Sequence, residues 1–156
     1  MSNILNKSIA KLMKGYPTVA DKYDVAGGVL ASDAAAIEPG ALLVFTAESG
    51  VYTPAVAAST VDNIAGIALA QNVKLTDIWS STASKTLTQP GEAVNLCIRG
   101  LVAVDVGATV AAAVKPGAKV GLTGGALVVA GDTNAIPNWY FTGCVEGTLA
   151  EIDIRR

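Results

Sequence analysis

The chain has 156 residues, of which 51% are hydrophobic and 15% charged, so it carries enough apolar surface for one folded domain with a core. Histidine is absent, which removes the commonest general base and metal ligand, and the net charge of −2 excludes an overall basic field for nucleic acid. No apolar run reaches the roughly 18–20 residues of a membrane helix, and the predominance of alanine, valine and glycine favours a thin β-sandwich or a narrow barrel.

Residues 1–27 are predicted to form an N-terminal arm with a short helix. The apolar stripe of this helix and its opposite, basic side consist of Leu5, Ile9, Leu12 and Met13, and of Lys7, Lys11 and Lys14. Gly15 and Pro17 then end the helix. A free helix of this length is marginal in water, so either it packs on its own β-domain or the arm docks on a neighbouring subunit. A third interpretation is contact with a membrane or nucleic acid.

Residues 28–156 are predicted to form a Gly-rich β-domain, a compact barrel or sandwich of two similar units. The first unit spans about 29–100 and opens its strands with the turn signal at Pro39-Gly40. The stretch 34–36 could instead be a helical turn. Short strands between glycine turns are typical of all-β sandwiches and barrels.

The first unit carries an insertion near residues 70–90 that is rich in serine and threonine. Trp79 lies near its centre. A tryptophan in a long loop is a candidate interface anchor, and it could equally fold back over an open barrel end. Both interpretations stay open.

After the insertion, apolar residues alternate with other residues through Val94, Leu96 and Ile98, which predicts a strand. The run from Leu101 to Val106 stays apolar beyond Gly100. We therefore expect one long strand that bends or bulges at Gly100.

The second unit spans about 106–156. Its predicted features are a turn at Pro116-Gly117, a short strand at 127–130 and an alternating last strand through Ala150, Ile152 and Ile154. A helical turn at 110–114 is the alternative to strand there. The aromatic run 139–141 is expected to pack in the core.

A comparison of the chain with itself supports the two units. Residues 29–40 match residues 106–117 at seven of twelve positions, with the Pro-Gly pair aligned, at an offset of 77. The segment 91–100 aligns with 147–156 at an offset of 56. The difference of 21 residues corresponds to the insertion.

The sequence offers no catalytic motif. It lacks a phosphate-binding loop, a CxxC pair and an HExxH pair, and its scattered carboxylates fit the polar faces of strands. We therefore expect no enzymatic activity, no cofactor and no metal. The cysteines Cys97 and Cys144 lie in apolar alternating runs and are expected to be reduced core thiols, with a disulfide as the alternative.

Four segments resemble the small capsid cement, or head decoration, proteins of tailed phages. They are Ala65-Gly-Ile-Ala-Leu69, Gly91-Glu-Ala-Val-Asn-Leu-Cys-Ile-Arg-Gly-Leu-Val-Ala-Val104, Pro116-Gly-Ala-Lys-Val120 and Thr142-Gly-Cys-Val145. The resemblance covers about residues 28–156. The family commonly joins the first two segments by a short turn, and this chain departs from it there through its insertion.

The resemblance implies a structural virion protein that is made in the host cytoplasm and binds the outer surface of the head. Its partners would be the major capsid protein and neighbouring copies of itself, with neither nucleic acid nor membrane. Bridging adjacent capsid subunits would stabilise the shell, with Leu5, Lys7, Ile9, Lys11, Leu12, Met13, Lys14 and Trp79 as candidate contacts. The alternative is a carbohydrate- or receptor-binding β-module of a surface or fibre protein, for which the eight aromatic residues are few.

Overall fold

The computed structural model describes residues 12–18, 23–70 and 87–155, and regular structure in these ranges is mostly β. The strands are β1 (Asp24–Leu30), β2 (Leu42–Phe45), β3 (Val51–Pro54), β4 (Ile64–Ala68), β5 (Ala93–Asp105), β6 (Lys119–Thr123), β7 (Ala126–Val129), β8 (Ala135–Glu146) and β9 (Leu149–Ile154). A 3₁₀ turn at Val61–Asn63 and one helix, α1 (Gly107–Ala113), complete the elements of the described ranges. The predicted all-β class is confirmed.

The first five strands close into a barrel in the order β1-β3-β2-β4-β5, because β1 pairs with β5 as well as with β3. β1 runs parallel to β3, with Val29 opposite Val51, and antiparallel to β5. The barrel interior holds mostly aliphatic side chains together with one aromatic ring, which fill its narrow bore. They are Leu30, Ile37, Leu43, Tyr52, Ala65, Ala68, Val94 and Leu96.

The other four strands join β5 in an antiparallel sheet of the order β5-β9-β8-β6-β7. β9 alternates as the sequence predicted, with Ala150, Ile152 and Ile154 buried. Trp139 and Phe141 are also buried, so the expected core role of the aromatic run holds for both. Burying each large apolar side chain stabilises the fold by roughly 1.5–3 kcal/mol.

β5 belongs to both layers and changes neighbours at Gly100, whose φ is 115°. Up to Arg99 the strand pairs with β1, and from Gly100 onward it pairs with β9. A residue with a side chain is strained at that φ, so glycine permits the bend that the sequence predicted. Leu96 faces the barrel interior while Cys97 faces the core of the second sheet, so both faces of β5 are buried.

Four local expectations have different outcomes. α1 forms at the place of the helical turn predicted for 110–114, whereas residues 34–36 contain no helix. β1 begins at Asp24, ahead of the predicted start of the β-domain at residue 28. The helix predicted for the arm falls largely outside the described residues, and residues 12–18 form a turn and an isolated β-bridge instead.

Candidate functional site

The described end of the arm, residues 12–18, lies along the edge of β5 that β9 leaves free. The Gly15 amide donates to the Ala103 carbonyl (2.9 Å), the Ala103 amide donates to the Tyr16 carbonyl (3.3 Å), and the Thr18 amide donates to the Leu101 carbonyl (3.1 Å). Pro17 forms the bridge with Val102. The end of the arm is therefore held against β5 by backbone hydrogen bonds and an isolated bridge.

Gly15 can take this path because it has no side chain. Its φ is 73°, and a Cβ atom there would lie 2.5 Å from the backbone nitrogen of Gly40. The arm thus crosses the turn at Pro39-Gly40 at a distance that only glycine allows. This crossing fixes where the arm emerges.

Three of the predicted contact residues fall in the described part of the arm. Leu12 is 4% exposed, and its amide donates to Glu146 Oε2 (2.9 Å). Lys14 Nζ pairs with Glu38 Oε2 at 2.8 Å, while Met13 is 53% exposed. Within this segment Leu12 therefore packs inside the chain itself, and Met13 remains available to a partner.

The other predicted contacts lie outside the described residues. They are Leu5, Lys7, Ile9 and Lys11 of the arm and Trp79 of the insertion. Their assignment stays a prediction.

The two ends of the insertion lie beside the arm. The Ala70 amide, at its start, donates to the Gly15 carbonyl (2.9 Å). Thr88, at its end, exchanges backbone hydrogen bonds of 2.9 and 3.0 Å with Ile37, next to Glu38, which holds Lys14. The chain segments that the sequence singled out as contact elements therefore start from one region of the molecule.

Sequence reasoning missed exposed apolar side chains on the barrel. Phe45 ends the apolar run of β2, and its neighbours in that run would suggest a core position, but it is 54% exposed. Its ring lies against the ring of Tyr52, with the centroids 5.9 Å apart. Val29 is 41% exposed and lines a cleft of about 460 Å³ together with Thr46 and Val51. Tyr16, which lies between the two residues predicted to end the arm helix, is 43% exposed.

The two cysteines occupy different environments. Cys97 is fully buried, as expected, and burial raises the pKa of its thiol to about 11. Cys144 is exposed, which corrects its placement in the core, because it lies within the irregular stretch of β8 between Phe141 and Val145. Desolvation is the largest cause that raises the pKa of the Cys144 thiol, followed by the negative charges of Glu151 and Glu146. Neither cysteine forms a disulfide in the structure.

In the described ranges no three histidine, cysteine, aspartate or glutamate side chains come together as a metal site would require. None of the helices in those ranges is long and apolar enough to cross a membrane. The described surface carries exposed large apolar side chains, among them Met13, Phe45 and Val56.

Comparisons with known proteins find a matching family model and similar solved structures. The phage cement family model, described as structural cement protein (E217 gp24/Pam3 gp6), matches residues 2–155. A chain in the solved capsid of Myoviridae phage XM1 has a similar fold, with a TM-score of 0.64 at 15% sequence identity. That likeness covers 100% of this chain and 98% of the other. A search of curated proteins found no match.

Proposed function

Because the chain belongs to the family of phage structural cement proteins, we propose that it binds the outer surface of the phage head and ties neighbouring major capsid subunits together. Its role as a capsid cement protein follows from the family, which places it in the virion. The host cytoplasm as its place of synthesis, the outer surface and the bridging of subunits are our proposal.

The observation that carries the bridging role is that the arm and the insertion leave the β-domain at neighbouring points. Gly15 and Ala70 are joined by a backbone hydrogen bond, so the two segments start at one rim of the β-domain. The eleven residues 1–11 would span about 36–40 Å if fully extended. Such a reach is comparable with the size of a small domain, so the arm can contact a subunit other than the one beneath the β-domain.

The contact residues that we propose are those beyond the clasp made by residues 12–18. The apolar side chains Leu5, Ile9, Met13 and Trp79 would enter pockets of the partner, and Lys7 and Lys11 would meet its acidic groups. Leu12 and Lys14 would act from within the chain, because they hold the arm at its point of departure.

The body that carries these segments is proposed to be two tandem units, about 29–100 and 106–156. The strand order β3-β2-β4-β5-β1 of the barrel parallels the order β7-β6-β8-β9-β5 of the second sheet. Leu42 pairs with Ile67 as Lys119 pairs with Tyr140, and Leu96 pairs with Ala68 as Ile152 pairs with Phe141. These correspondences support a duplication that gave a rigid body with attached contact segments.

In this proposal the chain stabilises the shell by binding alone, without a catalytic step. Each copy would bury a modest interface, and the repeated lattice of the shell would multiply the effect. Outward pressure on the shell would have to break cement contacts as well as capsid contacts before neighbouring subunits separate.

Co-sedimentation with purified, emptied heads of the phage tests this proposal. The wild-type chain is expected to pellet with heads and to raise the temperature at which they rupture. A double variant, Leu5→Ser with Ile9→Ser, is expected to bind at least tenfold more weakly, while Val56→Ser, at an exposed apolar residue of the barrel, serves as the matched control.

Two results would contradict the proposal. Failure of the wild-type chain to bind heads would remove the cement role on the outer surface. Binding without any rise in rupture temperature would leave a decoration protein that bridges nothing.

A further inference from the structure

The cleft of about 460 Å³ that Val29 lines lies where β1 and β3 meet. One wall is the end of β1 with the residues that follow it, 29–33. The other wall is the turn from β2 into β3, residues 46–48, together with Val51 and Thr53 of β3. We call this space the Val29–Val51 cleft, after the residue pair that joins its two walls.

The floor of the cleft is apolar and faces away from the barrel interior. Val29 pairs with Val51, and the next residues along the two strands, Leu30 and Tyr52, also pair with each other. Leu30 and Tyr52 belong to the barrel core, so Val29 and Val51, one residue earlier on each strand, point to the outside. Val29 is 41% exposed, so the described residues leave this floor open.

The turn that forms one wall is fixed by its own hydrogen bonds. The Thr46 hydroxyl accepts from the Glu48 amide (3.2 Å) and donates to the Val51 carbonyl (2.9 Å). The Thr46 amide donates to the Val51 carbonyl and the Val51 amide donates to the Glu48 carbonyl, both at 3.3 Å. The carboxylate of Glu48 takes no part in these bonds, so the turn holds it at the cleft without using it.

Two exposed carboxylates stand at the cleft, Asp33 in one wall and Glu48 in the other. Neither forms an ion pair within the described ranges, whereas Glu38, elsewhere on the barrel, is paired with Lys14 at 2.8 Å. The cleft therefore combines an apolar floor with two negative charges that the described chain does not neutralise.

The first unit is acidic well beyond the cleft. Residues 23–70 and 87–98 contain six acidic residues and no lysine or arginine. Residues 99–155, by contrast, contain four basic and five acidic residues. The electrostatic potential around the cleft therefore favours a cationic group and opposes an anionic one.

The described chain offers few cations of its own for this cleft. Lys14, Arg99 and Arg155 are each paired with an acidic residue of the same chain. The other basic residues of the described ranges are Lys115 and Lys119, which lie at the start of the second unit. A different protein that presents exposed basic side chains is therefore a better match for the cleft than a second copy.

We propose that the Val29–Val51 cleft receives a lysine or arginine side chain of the major capsid protein, as a contact separate from the arm and the insertion. The aliphatic stem of that side chain would lie on Val29 and Val51, and its charged head would meet Asp33 and Glu48. Because hydrogen bonds already order the turn, binding would cost little backbone freedom. This inference rests on the proposed function and gives the barrel itself a contact of stated chemistry.

Binding of the full-length chain to emptied heads tests the role of the two carboxylates. The variant Asp33→Lys with Glu48→Lys is expected to bind about tenfold more weakly than the wild type at low salt. Its matched control is Asp62→Lys with Asp132→Lys, which makes the same change of net charge at two exposed acids outside the cleft and should bind within about threefold of the wild type. The deficit of the cleft variant should shrink as salt is added.

The apolar floor has a control of its own. Val29→Thr keeps a branched side chain but places a hydroxyl on the floor, and it is expected to weaken head binding by roughly threefold. Val25→Thr makes the same change at an exposed valine of the same strand outside the cleft and should leave binding unchanged. The melting temperatures of both variants should match the wild type.

Three results would overturn the inference. Equal weakening by the two charge-reversed pairs would show that net charge alone matters. Unchanged binding of the cleft pair would show that no basic group of the capsid enters the cleft. A fall in melting temperature or a change in oligomeric state confined to the cleft pair would place there a basic group of the same chain or of a second copy.

The wild-type sample separates this inference from the proposed function. Heads that bind the wild type and both charge-reversed pairs equally would overturn the cleft contact and leave the cement role intact. Failure of the wild type to bind heads would overturn the proposed function, and the cleft contact with it.

Discussion

Two glycines with similar backbone angles have very different surroundings. Gly15 and Gly91 have φ values of 73° and 79°, but a Cβ at Gly15 would meet Gly40 at 2.5 Å, whereas a Cβ at Gly91 meets nothing within 4 Å. The pair separates the cost of the left-handed conformation from the cost of a steric collision.

Gly15→Ala is expected to lower the free energy of unfolding by about 3 kcal/mol, because it adds a backbone collision to the conformational strain. Gly91→Ala should cost only about 1 kcal/mol, from strain alone. Urea unfolding followed by circular dichroism measures both. Equal losses would show that the arm does not cross Gly40 as closely as the structure has it.

The thiols supply a second comparison at this scale. Because the pKa of Cys97 is about 11, against an ordinary value of 9.0, its thiolate fraction at pH 8 is about a hundredfold smaller than that of a free thiol. We expect a thiol reagent at pH 8 to label Cys144 alone in the folded chain and both cysteines after unfolding. Rapid labelling of Cys97 in the folded chain would contradict its burial.

The same shift predicts a dependence of stability on pH. The folded state favours the protonated thiol, so the contribution of Cys97 is complete below about pH 9 and is lost as pH rises toward about 11. Cys97→Ala should flatten the part of that decline due to this group, which urea unfolding between pH 8 and 11 would measure. An unchanged slope would rule out Cys97 as its source.

Among the elements, the clasp of residues 12–18 is held more by packing than by charge. Leu12 is almost fully buried, whereas the pair between Lys14 and Glu38 is partly exposed, and its contribution is expected to be below about 1 kcal/mol. The arm end therefore behaves as part of the β-domain.

Leu12→Ala is expected to lower the free energy of unfolding by about 2–4 kcal/mol, as truncation of a buried leucine does. Met13→Ala, at the exposed neighbour, should change it by less than about 0.5 kcal/mol. Thermal and urea unfolding measure the difference. Similar small effects would mean that Leu12 does not anchor the arm.

Elements with a clear period of two could be predicted from the sequence, because each has one face in the core. Ile152 and Ile154 in β9 and Leu96 in β5 behave in this way. Phe45 and Cys144 are exposed, because β2 leaves the core at its last residue and Cys144 lies within the stretch of β8 where the register shifts. Local sequence records neither event.

In the whole molecule, β5 links the barrel and the second sheet as one continuous strand. Leu43 lies in the core of the barrel and Phe141 in that of the second sheet. Since Leu96 and Cys97 of one strand fill both cores, neither layer can lose its packing without exposing a face of β5.

Leu43→Ala and Phe141→Ala are each expected to lower the stability of one common unfolding transition by about 2–5 kcal/mol. Calorimetry and fluorescence should report the same midpoint in each variant. Two separate transitions, with only one of them shifted by each substitution, would show that the layers unfold independently.

The site was less predictable than the fold. Helical spacing grouped Leu12 with Met13, but only long-range contacts reveal that Leu12 is buried against its own chain and Met13 is not. The hydrogen bond between Gly15 and Ala70 joins segments far apart in the sequence, and no repeat or motif marks it.

The antiparallel course of residues 15–18 beside β5 has a mechanical consequence. A pull on the arm acts along the strand axis, so the bonds donated by the Gly15 and Thr18 amides and the bond accepted by the Tyr16 carbonyl are loaded in shear together rather than broken one after another. Tension from a neighbour would thus pass into β5 and from there into both layers at once. The β-domain would therefore bear the force as a single unit before the hydrogen bonds of the arm end broke.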